Sequence, residues 1–492
     1  MLKPTHAVTR TQLFINGEYV NSVSGETYDS VDPRTEQVSA TFQRAGTADV
    51  DRAVLAARNA FDHGEWPRMS GYKRGLVMQK IADGLEKRAE EFAALETLDT
   101  GKPIFFSKAA DIPLSVGHFR YYAGWADKIH GETLCHDDSF GKTLAYTYKE
   151  PIGVAASIIP WNFPMLMAAW KMAPAIATGC SIVLKMSEKT PMTMSLFGEV
   201  LQEAGLPAGV INIIGGYGDA GAYLAAHEGV DKVAFTGSLA TAHKIKNTMG
   251  MKPFTAELGG KSPFLIFDDC DLDKAVETAH FGIFFNMGQC CNAGSRVFVQ
   301  EGIYDEFVKK SIALANKRRL GDPFTDTDQG PQIDKLQFDK ILAYIQQAKD
   351  QGATIACGGA KAFDKGYWIQ PTIMTNISDD ASPQREEIFG PVMGLQKFKT
   401  EDEAIARAND TNFGLASGIM SKDSDRINRV ARQLKAGTVW VNSYSVFDNS
   451  TPFGGYKDSG VGREKGKGAL DNYLMNKTII QPLTGDNVGW YR

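Results

Sequence analysis

Cysteine is scarce in this chain, and the sequence has neither an excess of positive charge nor a long apolar run. Six cysteines among 492 residues are too few for a disulfide framework, and none stands in a Cys-x-x-Cys or Cys/His pattern typical of zinc. A net charge of -5 provides no basic face for nucleic acid or an acidic membrane. No run approaches the ~18 uncharged apolar residues of a membrane helix. We therefore predict no metal, no nucleic-acid partner and no membrane span.

The first residues carry no targeting signal that the sequence alone identifies. Residues 1–6 have no apolar signal core, and residues 1–10, with Lys3, Arg10 and no acid, are too short for a convincing transit peptide. The scarcity of cysteine fits a reducing compartment. We expect a cytoplasmic protein, or a mitochondrial one if the chain is a processed form.

The chain is long, and its pattern changes after Pro151. A length of 492 residues is too great for one ordinary core and suggests domains of ~100 to 200 residues each. Apolar strand-like runs then alternate with helical ones, such as a helix predicted over 164–178 and a strand over 181–184. This alternation predicts an α/β fold with parallel, doubly wound sheets in two lobes and a cleft between them.

Two earlier segments have other patterns. The apolar residues from Leu76 to Leu95 recur at helical spacing and predict one helix, stopped by Gly101 and Pro103. Residues 135–150 are polar and alternating, which predicts exposed strands outside the main sheet, a common place for subunit contacts.

Two adjacent cysteines, Cys290 and Cys291, lie in a polar loop between a helix-like run at 275–285 and a strand-like run at 296–299. A thiol held on a turn between two rigid elements is suitably placed for a nucleophile. The alternative is that both cysteines are small buried hydrophobes, as most free cysteines are.

A lysine and a glutamate follow the strand predicted at 181–184. Lys185 and Glu188 can hydrogen-bond the hydroxyls of a nucleotide ribose, and an acid there would repel a 2′-phosphate, which favours NAD over NADP. The alternative is an ordinary charged turn, with Thr190 as the cap and Pro191 as the first residue of the next helix.

The segment Phe235-Thr236-Gly237-Ser238 is typical of a strand, a turn and a helix start. The free N–H groups of such a helix start can hold a pyrophosphate. The fuller dinucleotide pattern has another glycine where this chain has Ala242.

Two polar residues close predicted strands. Asn162 is either a cap for the helix that Pro164 opens, or an amide that donates to a developing oxyanion. Glu257 ends an apolar strand, where an acid is costly unless it is paired or its pKa is raised. It is either the ion-pair partner of Lys261 or a general base.

Four motifs, in this order, resemble the aldehyde dehydrogenase superfamily: Trp161-Asn162-Phe163-Pro164, Glu257-Leu258-Gly259-Gly260-Lys261-Ser262-Pro263, Gly288-Gln289-Cys290-Cys291 and Glu387-Ile388-Phe389-Gly390-Pro391-Val392. The likeness covers nearly the whole chain and is greatest to the NAD-dependent class 1 and 2 enzymes. It implies that NAD oxidises an aliphatic or aromatic aldehyde to a carboxylic acid, through a cysteine thiohemiacetal and a thioester.

The resemblance also implies roles for residues at matching positions. The implied catalytic residues are the nucleophile Cys291, the oxyanion donor Asn162, the base Glu257 and the proton-relay partners Lys171 and Glu464. The implied cofactor contacts are Trp161, Lys185, Glu188, Gly237, Ser238, Glu387 and Phe389. The implied wall of the substrate tunnel contains Phe163, Trp170, Phe285, Cys290, Phe447 and Phe453.

Domain limits and assembly follow from the same resemblance. It implies a Rossmann-type NAD-binding domain at 1–128 and 152–259, a catalytic domain at 260–458, and β oligomerisation elements at 129–151 and 472–492. A homotetramer or homodimer is expected. Two other functions stay open: a non-catalytic structural or binding homologue, and a thiol hydrolase that acts on esters without a cofactor. The presence of Asn162, Glu257 and Cys291 together favours the dehydrogenase.

Overall fold

The computed structural model describes residues 8–135 and 142–483. In chain order the strands are β1 (Leu13–Ile15), β2 (Glu18–Val20), β3 (Thr27–Asp32), β4 (Gln37–Gln43), β5 (Thr133–Leu134), β6 (Thr143–Pro151), β7 (Val154–Ile158), β8 (Ser181–Lys185), β9 (Ile211–Ile214), β10 (Lys232–Thr236), β11 (Phe254–Glu257), β12 (Pro263–Ile266), β13 (Arg296–Gln300), β14 (Thr354–Cys357), β15 (Thr372–Thr375), β16 (Val392–Phe398), β17 (Ala416–Met420), β18 (Thr438–Val441), β19 (Gly460–Val461) and β20 (Leu474–Pro482).

The α-helices, again in chain order, are α1 (Thr47–Asp62), α2 (Gly71–Lys87), α3 (Ala89–Thr100), α4 (Ile104–Phe106), α5 (Ile112–Trp125), α6 (Pro164–Thr178), α7 (Met192–Glu203), α8 (Gly218–Ala226), α9 (Leu239–Thr248), α10 (Leu272–Phe284), α11 (Glu301–Lys317), α12 (Lys335–Asp350), α13 (Ser382–Arg385), α14 (Glu401–Asn409) and α15 (Ser424–Gln433). A π-helical turn at Ser107–Asp111 joins α4 to α5, and short 3-10 helices occupy Trp66–Arg68, Phe285–Gly288, Lys457–Ser459 and Lys467–Tyr473. Within the described ranges, no helix is long and apolar enough to cross a membrane.

Two large sheets confirm the predicted α/β fold. The first has the strand order β19-β11-β10-β7-β8-β9-β1-β2, and its five central strands, from β11 to β9, run parallel. The second has the order β14-β15-β16-β13-β12-β17-β18, in which only the edge strand β14 is antiparallel. Every residue of β7, β8, β9 and β10 is buried, as expected for parallel strands that are covered on both faces.

Local signals set some helix limits correctly and others wrongly. The helix predicted over 164–178 is α6, which has a proline at its first position and ends at Gly179 with φ of 100°. The single helix predicted across Leu76 to Leu95 is wrong, because α2 and α3 break at Arg88. The Arg88 guanidinium donates to Glu91 at 2.8 Å and to Glu199 at 2.9 Å, so a contact distant in sequence holds the break.

A smaller three-stranded sheet confirms the strands predicted outside the main sheet. Its order is β20-β6-β5, and β6 and β20 pair antiparallel along their full lengths. The predicted oligomerisation elements also include residues 136–141 and 484–492, which lie outside the described residues, as do residues 1–7. The predicted domain limits remain predictions.

Gly288 makes a sharp bend just before the cysteine pair, and its replacement tests how tightly this loop is packed. Its φ is 72°, and a Cβ at this position would lie 2.1 Å from the Gly390 carbonyl oxygen. We expect Gly288→Ala to lower the free energy of unfolding by about 2 kcal/mol or more, measured by urea denaturation. The control is Gly124→Ala in α5, where a Cβ meets no atom within 4 Å. Equal stability of the two variants would refute the argument.

Candidate active site

A cavity of about 460 Å³ lies at the carboxyl ends of β7, β10 and β11 in the first sheet, facing loops that precede β13 and β16 of the second. The predicted residues in its wall are Trp161, Asn162, Phe163, Trp170, Gly237, Ser238, Glu257, Phe285, Cys290, Cys291, Glu387, Phe389, Phe447 and Phe453. The other predicted residues, which lie outside this wall, are Lys171, Lys185, Glu188 and Glu464. The fold thus brings most of the predicted site together from distant parts of the sequence.

The cysteine pair follows a turn in left-handed backbone. Asn286 and Met287 have φ of 48° and 56°, a region that side chains other than glycine rarely adopt. The Gln289 N–H donates to the Asn286 carbonyl at 2.9 Å and closes the turn. The Cys290 thiol donates to Asn292 Oδ1 at 2.8 Å, so Cys290 is a hydrogen-bonded part of the cavity wall.

An amide that the sequence analysis missed ties this turn to Asn162. Asn286 Nδ2 donates to the carbonyl oxygens of Asn162 and Gln289, each at 3.1 Å. Asn162 Nδ2 donates to the same Gln289 carbonyl at 3.0 Å, which leaves one of its two N–H groups for another acceptor. The alternative that Asn162 caps α6 is wrong, because the residue before that helix is Phe163 and no side chain caps it.

The Cys291 thiol is protonated in this arrangement. A hydrogen bond with Cys290 is the largest cause that raises the pKa of Cys291 well above its usual range, followed by burial. The negative charges of Glu387 and Glu257 act in the same direction. A nucleophilic role for Cys291 therefore requires a base that removes the proton as the reaction begins.

Glu257 is a buried acid without a bonded partner. Its residue is 4% exposed, and neither carboxyl oxygen has a hydrogen-bond partner in the described chain. Burial raises the pKa of Glu257 to about 8, although the positive charges of Lys171 and Arg463 oppose the shift. The alternative of an ion pair with Lys261 is wrong, because the Lys261 amine donates to the Pro383 carbonyl at 2.8 Å instead.

Behind Glu257 lies a buried ion pair. The Lys171 amine contacts the Glu464 carboxylate directly, and both residues are almost fully buried. Burial lowers the pKa of Lys171 to about 7, while the charge of Glu257 raises it. The two predicted relay residues are therefore in contact with each other and electrostatically linked to the acid in the cavity.

The predicted ribose-binding pair lies at the carboxyl end of β8. Lys185 Nζ is 3.7 Å from Glu188 Oε2, and burial lowers the pKa of Lys185. The expected helix start is wrong by one residue, because α7 begins at Met192 with Pro191 before it. The Thr190 hydroxyl is buried and has no hydrogen-bond partner in the described chain, so it does not act as the cap.

The turn after β10 begins α9. Ser238 is the N-cap of this helix, and its hydroxyl accepts from the Thr241 N–H at 3.3 Å. The Thr236 hydroxyl, which is in the cavity wall, is buried without a partner in the described chain. Ala242, where a glycine was expected, is 5% exposed and packs in the core, so its methyl group is accommodated beneath the helix.

One side of the cavity contains an acid and two aromatic rings. The Gly260 N–H donates to Glu387 Oε1 at 2.9 Å, and burial raises the pKa of Glu387 to about 7. Phe389 has φ of 58°, and its ring meets that of Trp161 edge-on at a centroid distance of 5.3 Å. These three predicted cofactor residues therefore share one side of the cavity.

The predicted tunnel aromatics form two packed groups. Phe163 and Phe285 stack at 5.9 Å between ring centroids. Trp170 and Phe447 each meet Phe453 edge-on, at 5.3 and 5.7 Å. The wall also contains residues that the sequence analysis missed, namely Phe106, Leu114, Met167, Phe281, Asn449 and Lys465. The four apolar residues among them gave a weak sequence signal, because apolar residues at helical spacing are equally typical of a core.

Comparison with known proteins gives full-length matches. Residues 19–479 match the Aldehyde dehydrogenase family. The chain is 54% identical to Aldehyde dehydrogenase family 2 member B4, mitochondrial, from Arabidopsis thaliana. This match covers 98% of the chain and 90% of the relative. It is 50% identical to Benzaldehyde dehydrogenase, mitochondrial, from Antirrhinum majus, with 99% and 92% of the two chains covered. The solved NAD+ complex of aldehyde dehydrogenase from Bacillus cereus matches with a TM-score of 0.96 and 44% identity, covering 98% of this chain and 99% of that one.

The raised pKa of Glu257 predicts a pH-dependent effect on stability. Between an ordinary value of 4.5 and the folded value of about 8, the folded state keeps a proton that the unfolded state has released. Stability therefore falls as the pH rises through this window. We expect Glu257→Gln to unfold about 3 °C or more above the wild type at about pH 9, with a smaller advantage at about pH 5, measured by scanning calorimetry.

The matched control for this measurement is Glu277→Gln, which removes an exposed acid from α10. We expect this variant to show no advantage that grows with pH. If the gain in unfolding temperature from Glu257→Gln were larger at the acidic pH, it would contradict the argument that burial keeps the Glu257 carboxyl group protonated.

Proposed function

The chain belongs to the aldehyde dehydrogenase family and is an enzyme that oxidises aldehydes, and we propose that it does so with NAD through covalent intermediates on Cys291. The observation that carries this mechanism is the meeting, in one cavity wall, of a thiol, an amide with a free N–H and a buried acid without a partner. These are the groups of Cys291, Asn162 and Glu257.

The first sheet offers groups that fit NAD. Lys185 and Glu188 present an amine and a carboxylate for ribose hydroxyls. The free Thr236 hydroxyl and the N–H groups at the start of α9 suit a pyrophosphate. Gly237 is required there, because a Cβ would lie 2.5 Å from the Phe235 ring. The residues that would complete the cofactor site are Trp161, Ser238, Glu387 and Phe389.

Cys291 attacks the aldehyde carbon as a thiolate, because a protonated thiol is a weak nucleophile. Since the pKa of this thiol is raised, a base must take its proton, and Glu257 faces the same cavity. The oxygen of the resulting thiohemiacetal accepts from the free Asn162 N–H and from the Cys291 N–H. Each donor contributes ~3 kcal/mol to stabilisation of the oxyanion.

The chemistry that NAD supplies when bound is acceptance of a hydride from the tetrahedral carbon. Cys291 then holds a thioester, which hydrolysis must cleave. Glu257 first passes the thiol proton to the Lys171–Glu464 pair, from which it leaves to solvent, and is a carboxylate again. It then removes a proton from the attacking water, and a pKa of about 8 lies close enough to neutrality for a general base. The Lys171–Glu464 pair behind Glu257 accepts and releases this proton. The carboxylic acid leaves as the thiolate re-forms.

The wall of the cavity favours a broad range of aliphatic and aromatic aldehydes. Packed rings exclude water and contact apolar substrates without selecting one shape. One relative is named a benzaldehyde dehydrogenase, which is consistent with an aromatic substrate in such a wall.

Assembly and location belong to the same proposal. We expect a homotetramer or homodimer in which the exposed β5, β6 and β20 sheet contacts another subunit, because open sheet edges are normally covered. The cytoplasm is the location expected from the sequence, and the mitochondrial names of relatives support the alternative of a processed mitochondrial form.

Replacement of each cysteine tests the nucleophile. We expect Cys291→Ala to lower aldehyde-dependent NADH formation by about a thousandfold or more, because no other thiolate can form the thioester. Cys290→Ala is the matched control and should keep much of the activity, since Cys290 is hydrogen-bonded to Asn292 and is part of the cavity wall. Steady-state absorbance of NADH with benzaldehyde and hexanal gives the measurement.

The opposite order of the two variants would overturn the assignment of Cys291. Ester hydrolysis without any NADH formation would instead identify a cofactor-independent thiol hydrolase. The absence of both activities in the wild type would identify a non-catalytic homologue.

Glu188 tests the choice of cofactor. The wild type should have a higher kcat/KM with NAD than with NADP, because the carboxylate repels a 2′-phosphate. We expect Glu188→Gln to lower the NAD to NADP ratio by about tenfold, while Glu203→Gln, an exposed acid in α7, should leave the ratio unchanged. A clear preference of the wild type for NADP would refute the argument.

A further inference from the structure

Lys465 brings a buried amine to the wall that contains Cys291. Its residue is 2% exposed, and Nζ has no hydrogen-bond partner in the described chain. The amine lies over two rings of the wall, 5.4 Å from the centroid of Trp170 and 4.8 Å from that of Phe447. A buried ammonium is costly unless an anion or acceptor pairs with it, and here the described residues provide neither.

The charged groups around Lys465 do not neutralise it. Asp448 is the acid whose charge acts on it, but Asp448 is exposed and its Oδ1 accepts from the Ser450 N–H at 2.8 Å. His118 is uncharged, because burial lowers its pKa to about 3. Asp111, another acid of the wall, is paired with Lys102. Burial lowers the pKa of Lys465 to about 8, so the amine still carries its proton at neutral pH.

A second donor lies in the same wall. Asn449 Oδ1 is 3.0 Å from His118 Nδ1, and the neutral imidazole donates through that nitrogen to the amide oxygen. The Asn449 NH2 group is thereby kept as a donor. These two donors lie in one wall, and neither is hydrogen-bonded to an acid of the described chain, so they make a site for an acceptor that the ligand supplies.

We infer that Lys465 and Asn449 form a subsite for a carboxylate carried by the aldehyde substrate, so that the enzyme favours aldehydes with an anionic group remote from the formyl carbon. This inference rests on the proposed function, because the formyl carbon must first reach Cys291. The aromatic rings then contact the carbons between the two ends. A charge-assisted hydrogen bond inside such a wall is stronger than one in water.

The test compares charged and uncharged aldehydes of equal length. Linear aldehydes with a terminal carboxylate at increasing distance from the formyl group, and 4-formylbenzoate, are each paired with their methyl esters. The measured quantity is the kcat/KM of the carboxylate divided by the kcat/KM of its methyl ester, from NADH formation with NAD in excess. We expect the wild-type ratio to exceed one for at least one spacing, and Lys465→Met to lower that ratio by about tenfold or more.

The matched control is Lys467→Met. Lys467 lies two residues further along the chain, and its side chain is exposed over Trp125, outside the cavity wall. The variant removes the same charge and should preserve the wild-type ratio. Methionine keeps the length and apolar contacts of the lysine, so the comparison isolates the ammonium group. A melting curve for each variant checks folding.

Two results would overturn the subsite: a wild-type ratio below one at every spacing, or a ratio in Lys465→Met within about twofold of the wild type. The second result would mean that the amine only packs on the two rings. The wild-type series decides the question even if the methionine variant does not fold. Failure to oxidise any of the aldehydes, charged or uncharged, would overturn the proposed function and the subsite with it.

Discussion

Two side-chain amides, those of Asn286 and Asn162, join the two halves of the site. Asn286 donates to the carbonyls of Asn162 and Gln289, and these belong to the turn after β7 and to the cysteine loop. The first sheet and the second are thereby held together beside the thiol. The left-handed backbone at Asn286 costs less for asparagine than for most residues, which explains why this residue can make the link. Together with the bond from Asn162 to the Gln289 carbonyl, this link sets where Cys291 lies relative to the Asn162 amide.

Burial then sets the protonation of the groups that face the cavity. It raises the pKa of Glu257 to about 8 and of Glu387 to about 7, and lowers that of Lys171 to about 7. The pKa values of these acids and this amine, which ordinarily lie far apart, become similar, because the buried environment disfavours either charge. A nearby change of charge therefore changes the protonation of these groups easily.

Helices and strands whose ends are set by neighbouring residues could be predicted from the sequence. The proline and glycine at the ends of α6, and the uninterrupted apolar run of β8, are local signals, and both elements appear as predicted. The break at Arg88, the Pro383 partner of Lys261 and the bridging role of Asn286 are set by residues far away in sequence. No local pattern specifies such contacts, so one predicted helix and one suggested ion pair were wrong.

For the site, motif resemblance supplied the residues, and the fold brought most of them to one cavity. Their roles stay predictions until the variants are measured. Lys465 was missed because a lysine next to a glutamate in a glycine-rich segment is typical of an exposed turn. Its burial follows only from the packing of Trp170 and Phe447 around it, which is a tertiary property.

The two cysteines differ in what each can do with its proton. Cys290 donates to Asn292 Oδ1, and the Asn292 amide donates in turn to the Ser445 hydroxyl at 3.0 Å. This chain of bonds gives the S–H group of Cys290 a fixed acceptor. Cys291 is hydrogen-bonded to Cys290 instead, and this bond, burial and the nearby carboxylates disfavour a thiolate and raise the pKa of Cys291. A thiolate formed there is consequently less stable and more reactive than an ordinary one, so the same contacts that delay ionisation of Cys291 favour its attack once the proton has left.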